Sequence, residues 1–187
     1  GMIVLGIGAI VLAYCTWYFT DESSGVPRFG GVLTAFVAAM LGLVLSDDLL
    51  ILYVFWELTT VLSYLLIGSD PEKRASRIAA MQALMVTTLG GLAMLVGMLM
   101  LGQQAGTHRI TELVADPPSG DWTTVAILLI LVGAISKSAL FPFHFWLPGA
   151  MAAPTPVSAY LHAAAMVKAG IFLVAVLAPG FSDIPGW

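Results

Sequence analysis

Three stretches of this chain, Met2 to Phe19, Phe29 to Ser46 and Ile78 to Leu101, contain no charged residue at all. Each is at least roughly as long as the 18–20 residues a helix needs to cross a hydrocarbon layer about 30 Å thick. A bilayer core offers no water to backbone N–H and C=O groups, so a spanning segment must pair them within the protein, as a helix does. Composition agrees. Apolar residues make up 59% of the chain and charged ones 10%, and mean hydropathy is +0.97. An ordinary soluble domain has about 45–50% and about 25%, so a soluble chain of this kind would lack polar surface to cover itself. The net charge of −4 excludes little, because in a membrane the side on which each charge lies is what counts.

In chain order, Met2 to Phe19 has the length of a signal peptide's core and more. It lacks a basic leading region, however, and it ends in Trp17-Tyr18-Phe19, which suits an interfacial aromatic belt. A polar loop, Thr20 to Arg28, leads to the second span, whose Gly30, Gly31, Ala35, Ala38, Ala39 and Gly42 permit close helix packing. Asp47-Asp48 mark a tight turn. The third segment, about Leu49 to Ser69, carries one charge, Glu57, some eight residues in and so roughly 12 Å deep, too far for a short glutamate to reach the surface. The loop from Asp70 to Arg77 holds Lys73, Arg74 and Arg77; the fourth span, Ile78 to Leu101, follows, and then a polar loop, Gly102 to Asp121. Arg28 and the 70–77 loop fall on one side, which the positive-inside rule makes cytoplasmic; Asp47-Asp48 and the acidic 102–121 loop fall on the other.

The fifth segment is interrupted. An apolar run from Trp122 meets Lys137, and Pro142, Pro148, Pro154 and Pro156 follow, with Phe141, Phe143, Phe145 and Trp146 between them. Helical pattern resumes near Val157, carries His162 and Lys168, and ends near Pro179. The proline spacing predicts a helix break between about Ala139 and Phe145. Broken backbone at membrane depth is tolerated only where protein or a water-filled cavity supplies partners, and a lysine at the bilayer centre costs about 2.5–3.5 kcal/mol on insertion scales. Broken helices with ionisable residues are how many transporters build an ion path.

Glu57, Lys137, His162 and Lys168 are therefore the candidate proton pathway. Each has a plainer alternative. Glu57 and Lys137 could form a buried structural ion pair, and a lone histidine such as His162 commonly packs. Lys168, about 9 Å and 120° from His162 along the helix, could reach another helix or the interface. His144, among aromatics, is either packing or relay, and His108 reads as loop. Several charges of both signs at similar depth favour function over packing, and the opposite charges of Glu57 and Lys137 are expected to approach one another. Burial disfavours the charged form of carboxyl and ammonium groups and histidine titrates near neutrality, so the chemistry these residues suit is proton transfer rather than bond making. The sequence offers no nucleophile, phosphate loop or dinucleotide fingerprint. No metal site is expected, since no Cys/His pair has ligand spacing, and no cofactor or nucleic-acid partner is expected either. Cys15 has no second cysteine with which to pair.

The segment from Ser136 through Lys137, Phe141-Pro-Phe-His-Phe-Trp-Leu-Pro148 and Pro154-Thr-Pro156 to His162 closely resembles the signature of the proton-translocating antiporter-like subunit family. That family includes large subunits of Mrp-type Na⁺/H⁺ antiporters and the antiporter-like subunits of respiratory complex I and related hydrogenases. Leu52-Tyr-Val-Phe-Trp-Glu-Leu-Thr59 resembles the family's glutamate helix. The resemblance implies that Glu57 is the channel glutamate, Lys137 the lysine of the broken helix and His162 the relay histidine. It is nearest to the A-type subunits of the Mrp branch, through Phe143-His-Phe-Trp-Leu-Pro148 and Ala165-Met-Val-Lys-Ala-Gly170. Family members have about fourteen core helices in two inverted five-helix repeats.

The expectation is thus an all-α, polytopic membrane helix bundle of about six transmembrane segments, the fifth a broken helix. Residues 1–187 would form a single membrane domain, one leading helix plus about one five-helix repeat, as a fragment of a larger subunit. The resemblance implies a proton-conducting subunit of a monovalent cation (Na⁺)/proton antiporter, in the lipid bilayer of a prokaryotic cell membrane, among other membrane subunits, handling H⁺ and Na⁺. The alternative is a proton-pumping subunit of a redox complex, NADH:quinone oxidoreductase or membrane-bound hydrogenase, which is the one way the chain would belong to an enzyme. A structural scaffold would not need four buried ionisable residues.

Overall fold

The computed structural model describes residues 1–18, 26–70, 72–151 and 153–183; the side chains of residue 26 and of residues 162–164 lie outside that description. Its regular structure is helical: α1 Met2–Tyr18, α2 Val26–Leu45, α3 Leu49–Ile67, α4 Arg74–Ala105, the short α5 Ile110–Ala115, and α6 Asp121–Lys137. After α6 come a 3₁₀ turn Phe143–Phe145, the short α7 Trp146–Ala150, and α8 Thr155–Phe181. The all-α expectation is met. Four of these helices, α2 from Pro27, α3, α4 and α8, are long and apolar enough to cross a membrane. Helices α1 and α6 have 17 residues each, at the short end of the spanning range. The outer faces stay apolar, with Val54, Leu89 and Val96 at least half exposed, as a lipid-facing surface requires.

Three boundaries differ from the sequence reading. Helix α4 has 32 residues, about 48 Å at 1.5 Å per residue, because charge marks where a chain leaves lipid and does not by itself end a helix. It stops at Gly106, whose φ of 71° is the left-handed conformation that glycine adopts without cost. The 102–121 loop contains α5, a six-residue helix too short to carry a periodic signal. Helix α8 runs past Pro179 to Phe181, and its Ser158–Ala165 stretch is π-helical.

Helices α4 and α6 cross closely because glycines face each other. A Cβ on Gly133 would lie 2.9 Å from the carbonyl of Gly90, and one on Gly97 would strike the carbonyl of Ala126. Small residues that let backbones approach are the usual basis of helix packing in lipid. Helix α1 is pinned across the bundle by Tyr160, which donates to the carbonyl of Val4 at 3.0 Å and stands edge-on to Phe36 at 5.9 Å.

At one end of the bundle the α2–α3 turn is clasped to the segment before α5. Leu49 N–H donates to His108 at 2.9 Å and Ile110 N–H to Asp47 at 2.8 Å. Asp47 also accepts from Thr111 N–H at 3.0 Å and Thr111 hydroxyl at 2.9 Å. Asp48 caps α3 by accepting from Leu50 and Ile51 N–H, the role short acidic residues favour at a helix start. The two acidic segments thus share an end, and His108 is in a loop, as the sequence predicts. At the start of α4, Lys73, Arg74 and Arg77 oppose the helix dipole, so the dipole does not explain their position.

Candidate functional site

Helix α6 ends at Lys137, and its end has a defined geometry. Ala139 takes φ 51°, its N–H donates to Ser136 at 3.3 Å, and Leu140 N–H donates to Ile135 at 3.1 Å. These two bonds form a Schellman cap, here with alanine where glycine is usual. The break begins at Ser138, one residue before the predicted range. The Ser136 carbonyl takes a second bond, from the indole N–H of Trp146 at 3.0 Å. A wholly buried side chain of α7 thereby adds a partner to a helix-end carbonyl. Gly170 of α8 lies directly on the same turn, where a Cβ would strike the Ala134 carbonyl and the Ser138 hydroxyl.

This end places Lys137 in the interior with no exposed surface. Its ammonium donates to the Trp56 carbonyl at 2.6 Å, to Thr59 Oγ1 at 2.6 Å and to Thr60 Oγ1 at 3.0 Å. It also stands 4.6 Å from the centre of the Trp56 ring, a cation–π distance. Residues 56, 59 and 60 share one face of α3 because three- and four-residue spacings do. Glu57, one residue on, is turned about 100° away. Its Oε1 lies against the bare backbone of Gly91 in α4 and is buried without a hydrogen-bond partner.

Glu57 stands one residue along α3 from the Trp56 carbonyl that holds Lys137, but no ion pair joins the two side chains among the described residues. The alternative of a buried structural ion pair is not what forms among the described residues: the carbonyl and two hydroxyls of α3 occupy all three ammonium donors. Among the described residues, Trp56 Nε1 and Ser138 Oγ, like Glu57 Oε1, are buried polar atoms with no hydrogen-bond partner.

The other candidates lie elsewhere. The side chain of His162 lies outside the described residues; its backbone belongs to the π-helical stretch of α8, a form that often accompanies functional sites. Lys168 is exposed on α8, beside half-exposed Ile171. His144 is exposed and stacks on Phe141 at 6.0 Å. Of the prolines, Pro142 follows a cis peptide bond within the break, Pro148 lies inside α7, and Pro154 and Pro156 open α8. Sequence reasoning missed Thr59, Thr60 and Gly91. Only the spacing of 59 and 60 from Trp56 could have signalled the first two.

Residues 46–187 match the family model described as NADH:quinone oxidoreductase/Mrp antiporter, transmembrane. A Staphylococcus aureus protein named as antiporter subunit mnhA2 is 49% identical over 95% of this chain and 23% of its own length. A Rhizobium meliloti protein named as the A/B subunit of a K⁺/H⁺ antiporter is 46% identical over 99% of this chain and 19% of its own. The chain thus spans about a fifth to a quarter of these relatives. Among solved structures, a chain of the Mrp complex from a Dietzia species superposes with TM-score 0.92 and 44% identity, over the whole of this chain and 21% of that one. A chain of an archaeal membrane-bound sulfane sulfur reductase shares the fold, with TM-score 0.84 and 23% identity, over 40% of its length.

Proposed function

The chain belongs to the NADH:quinone oxidoreductase/Mrp antiporter transmembrane family, and from that premise we propose that it is part of a proton-conducting subunit of a monovalent cation/proton antiporter. It is a multi-pass membrane protein; the reading places it in a prokaryotic cell membrane, as one membrane domain beside other membrane subunits. The observation that carries the reading is Lys137: wholly buried, at the end of a broken helix, and held by three neutral oxygens with no bonded counter-ion among the described residues. A buried lysine so placed readily loses and regains its proton. Glu57, with one carboxylate oxygen unbonded, is the neighbouring group able to exchange a proton with that side. His162 and Lys168 would continue the path along α8, with His144 as a peripheral relay at most.

The mechanism needs only proton movement between these side chains, and transport follows if the cation's entry is tied to the protonation state of the Glu57–Lys137 neighbourhood. Names of relatives include a K⁺/H⁺ antiporter, so Na⁺ or K⁺ is the coupled cation. The redox-pump alternative has one observation in its favour, the fold shared with a chain of a respiratory reductase. Identities of 44–49% on the antiporter side against 23% favour the antiporter. The test is cation/proton exchange in everted vesicles carrying the full antiporter. Glu57→Gln and Lys137→Ala are each expected to abolish most exchange at normal assembly, and near-normal exchange in both would leave only a structural role.

A further inference from the structure

We propose that Thr59 and Thr60 are positioning residues for Lys137, their hydroxyls forming with the Trp56 carbonyl a neutral dock that holds the lysine ammonium apart from Glu57. The proposal rests on the reading of Lys137 as a proton carrier. An ammonium has three N–H donors and no acceptor, and the dock offers three oxygens at 2.6, 2.6 and 3.0 Å. Both hydroxyls also bond backward to the Trp56 carbonyl, at 2.7 and 3.2 Å. Such backward bonds are ordinary for serine and threonine inside a helix. Here, though, each hydroxyl has spare lone pairs that receive the ammonium while its own hydrogen goes to the carbonyl.

The consequence concerns Glu57. An ammonium satisfied by neutral oxygens does not have to bind the carboxylate, and the next residue of α3 points its carboxylate at Gly91 instead. The two groups stay in adjacent slots, electrostatically in touch but unbonded. A tight ion pair would have to be pulled apart in every cycle; docking on hydroxyls removes that step. Of the titratable side chains around Lys137, Glu57 of α3 is the one facing it among the described residues. Helices α4 and α7 contribute none there, Lys168 of α8 is exposed, and the His162 side chain lies outside the described residues.

The experiment compares two double variants in the complete antiporter, reconstituted in liposomes. Thr59→Val with Thr60→Val keeps the side-chain shape and removes the hydroxyls; Thr59→Ser with Thr60→Ser keeps the hydroxyls and trims the methyls. The valine pair should lower the exchange rate about tenfold or more, the scale of a lost hydrogen bond to a charged group, and displace the pH profile of exchange. The serine pair should retain most of the rate and the wild-type profile. Wild-type rate and profile in the valine pair overturn the dock, as does equal loss in both pairs, which would mean packing alone. Should the valine pair fail to assemble, Thr59→Val against Thr59→Ser decides in the same way. Lys137→Ala, run alongside, separates the two proposals. If it exchanges normally, the proton-carrier reading itself fails; if it is inactive while the valine pair is normal, only the dock fails.

Discussion

Gly91 stands where a side chain would strike the Glu57 carboxylate, so the position of that carboxylate depends on a residue in another helix. Gly91→Ala should force Glu57 to turn or α3 and α4 to separate. Overpacking of this kind costs about 1–3 kcal/mol, read as a lower melting temperature of the purified antiporter, and exchange should fall with it. Unchanged melting and exchange would mean the carboxylate moves at no cost. Glu57 and Lys137 were legible in the sequence because charges stand out in apolar runs and are expensive there. Their separation was not. Opposite charges at depth are expected to approach, and threonines in a membrane helix look already satisfied by their own backbone, so only their spacing from Trp56 hinted at Thr59 and Thr60 as the lysine's partners.

At the scale of the element, the end of α6 is decided by Ala139 and Trp146. A left-handed alanine costs about 1–2 kcal/mol, and glycine there gives back about 0.4–1 kcal/mol through its freer unfolded chain. Ala139→Gly should therefore stabilise modestly, by about 1 kcal/mol or less, while a β-branched valine should destabilise; a thermal melt of the assembled complex checks both signs. Trp146→Phe keeps the ring and loses the indole N–H, leaving the Ser136 carbonyl one partner short. The carbonyl keeps its bond from Ala139 N–H, so the loss should be about 0.5–1.5 kcal/mol, and an unchanged melt would show the bond to be dispensable. The prolines announced that a break must occur. They could not say that it starts at Ser138, because a Schellman cap built on alanine has no glycine to read. Helix α5 stayed hidden for the related reason that six residues carry no period.

For the molecule as a whole, the clasp between the α2–α3 turn and residues 107–111 sets which loops share an end. The hydrogen bond from the Thr111 hydroxyl, helped by Arg109, holds the Asp47 carboxyl below its ordinary range. A carboxyl lowered on folding contributes stability that is present above its unfolded value and lost as pH falls through its folded one. Amide exchange at Thr111 should therefore quicken, beyond its intrinsic pH dependence, from about pH 4 downward; Asp47→Asn should exchange faster at neutral pH and lose that extra dependence. A wild-type clasp indifferent to acid would contradict this. The helical class, the apolar helices and the broken segment could be read from the chain because lipid imposes them; the side-by-side slots for Glu57 and Lys137 arise only when α3, α4 and α6 pack. On the function proposed above Lys137 works by giving up and regaining a proton, and Lys137→Arg in the complete antiporter is the decisive variant. Arginine keeps the charge but does not release its proton, so cation-driven proton exchange in liposomes should fall to the level of Lys137→Ala, whereas exchange at the wild-type rate would mean that a fixed positive charge suffices and that Lys137 carries no proton.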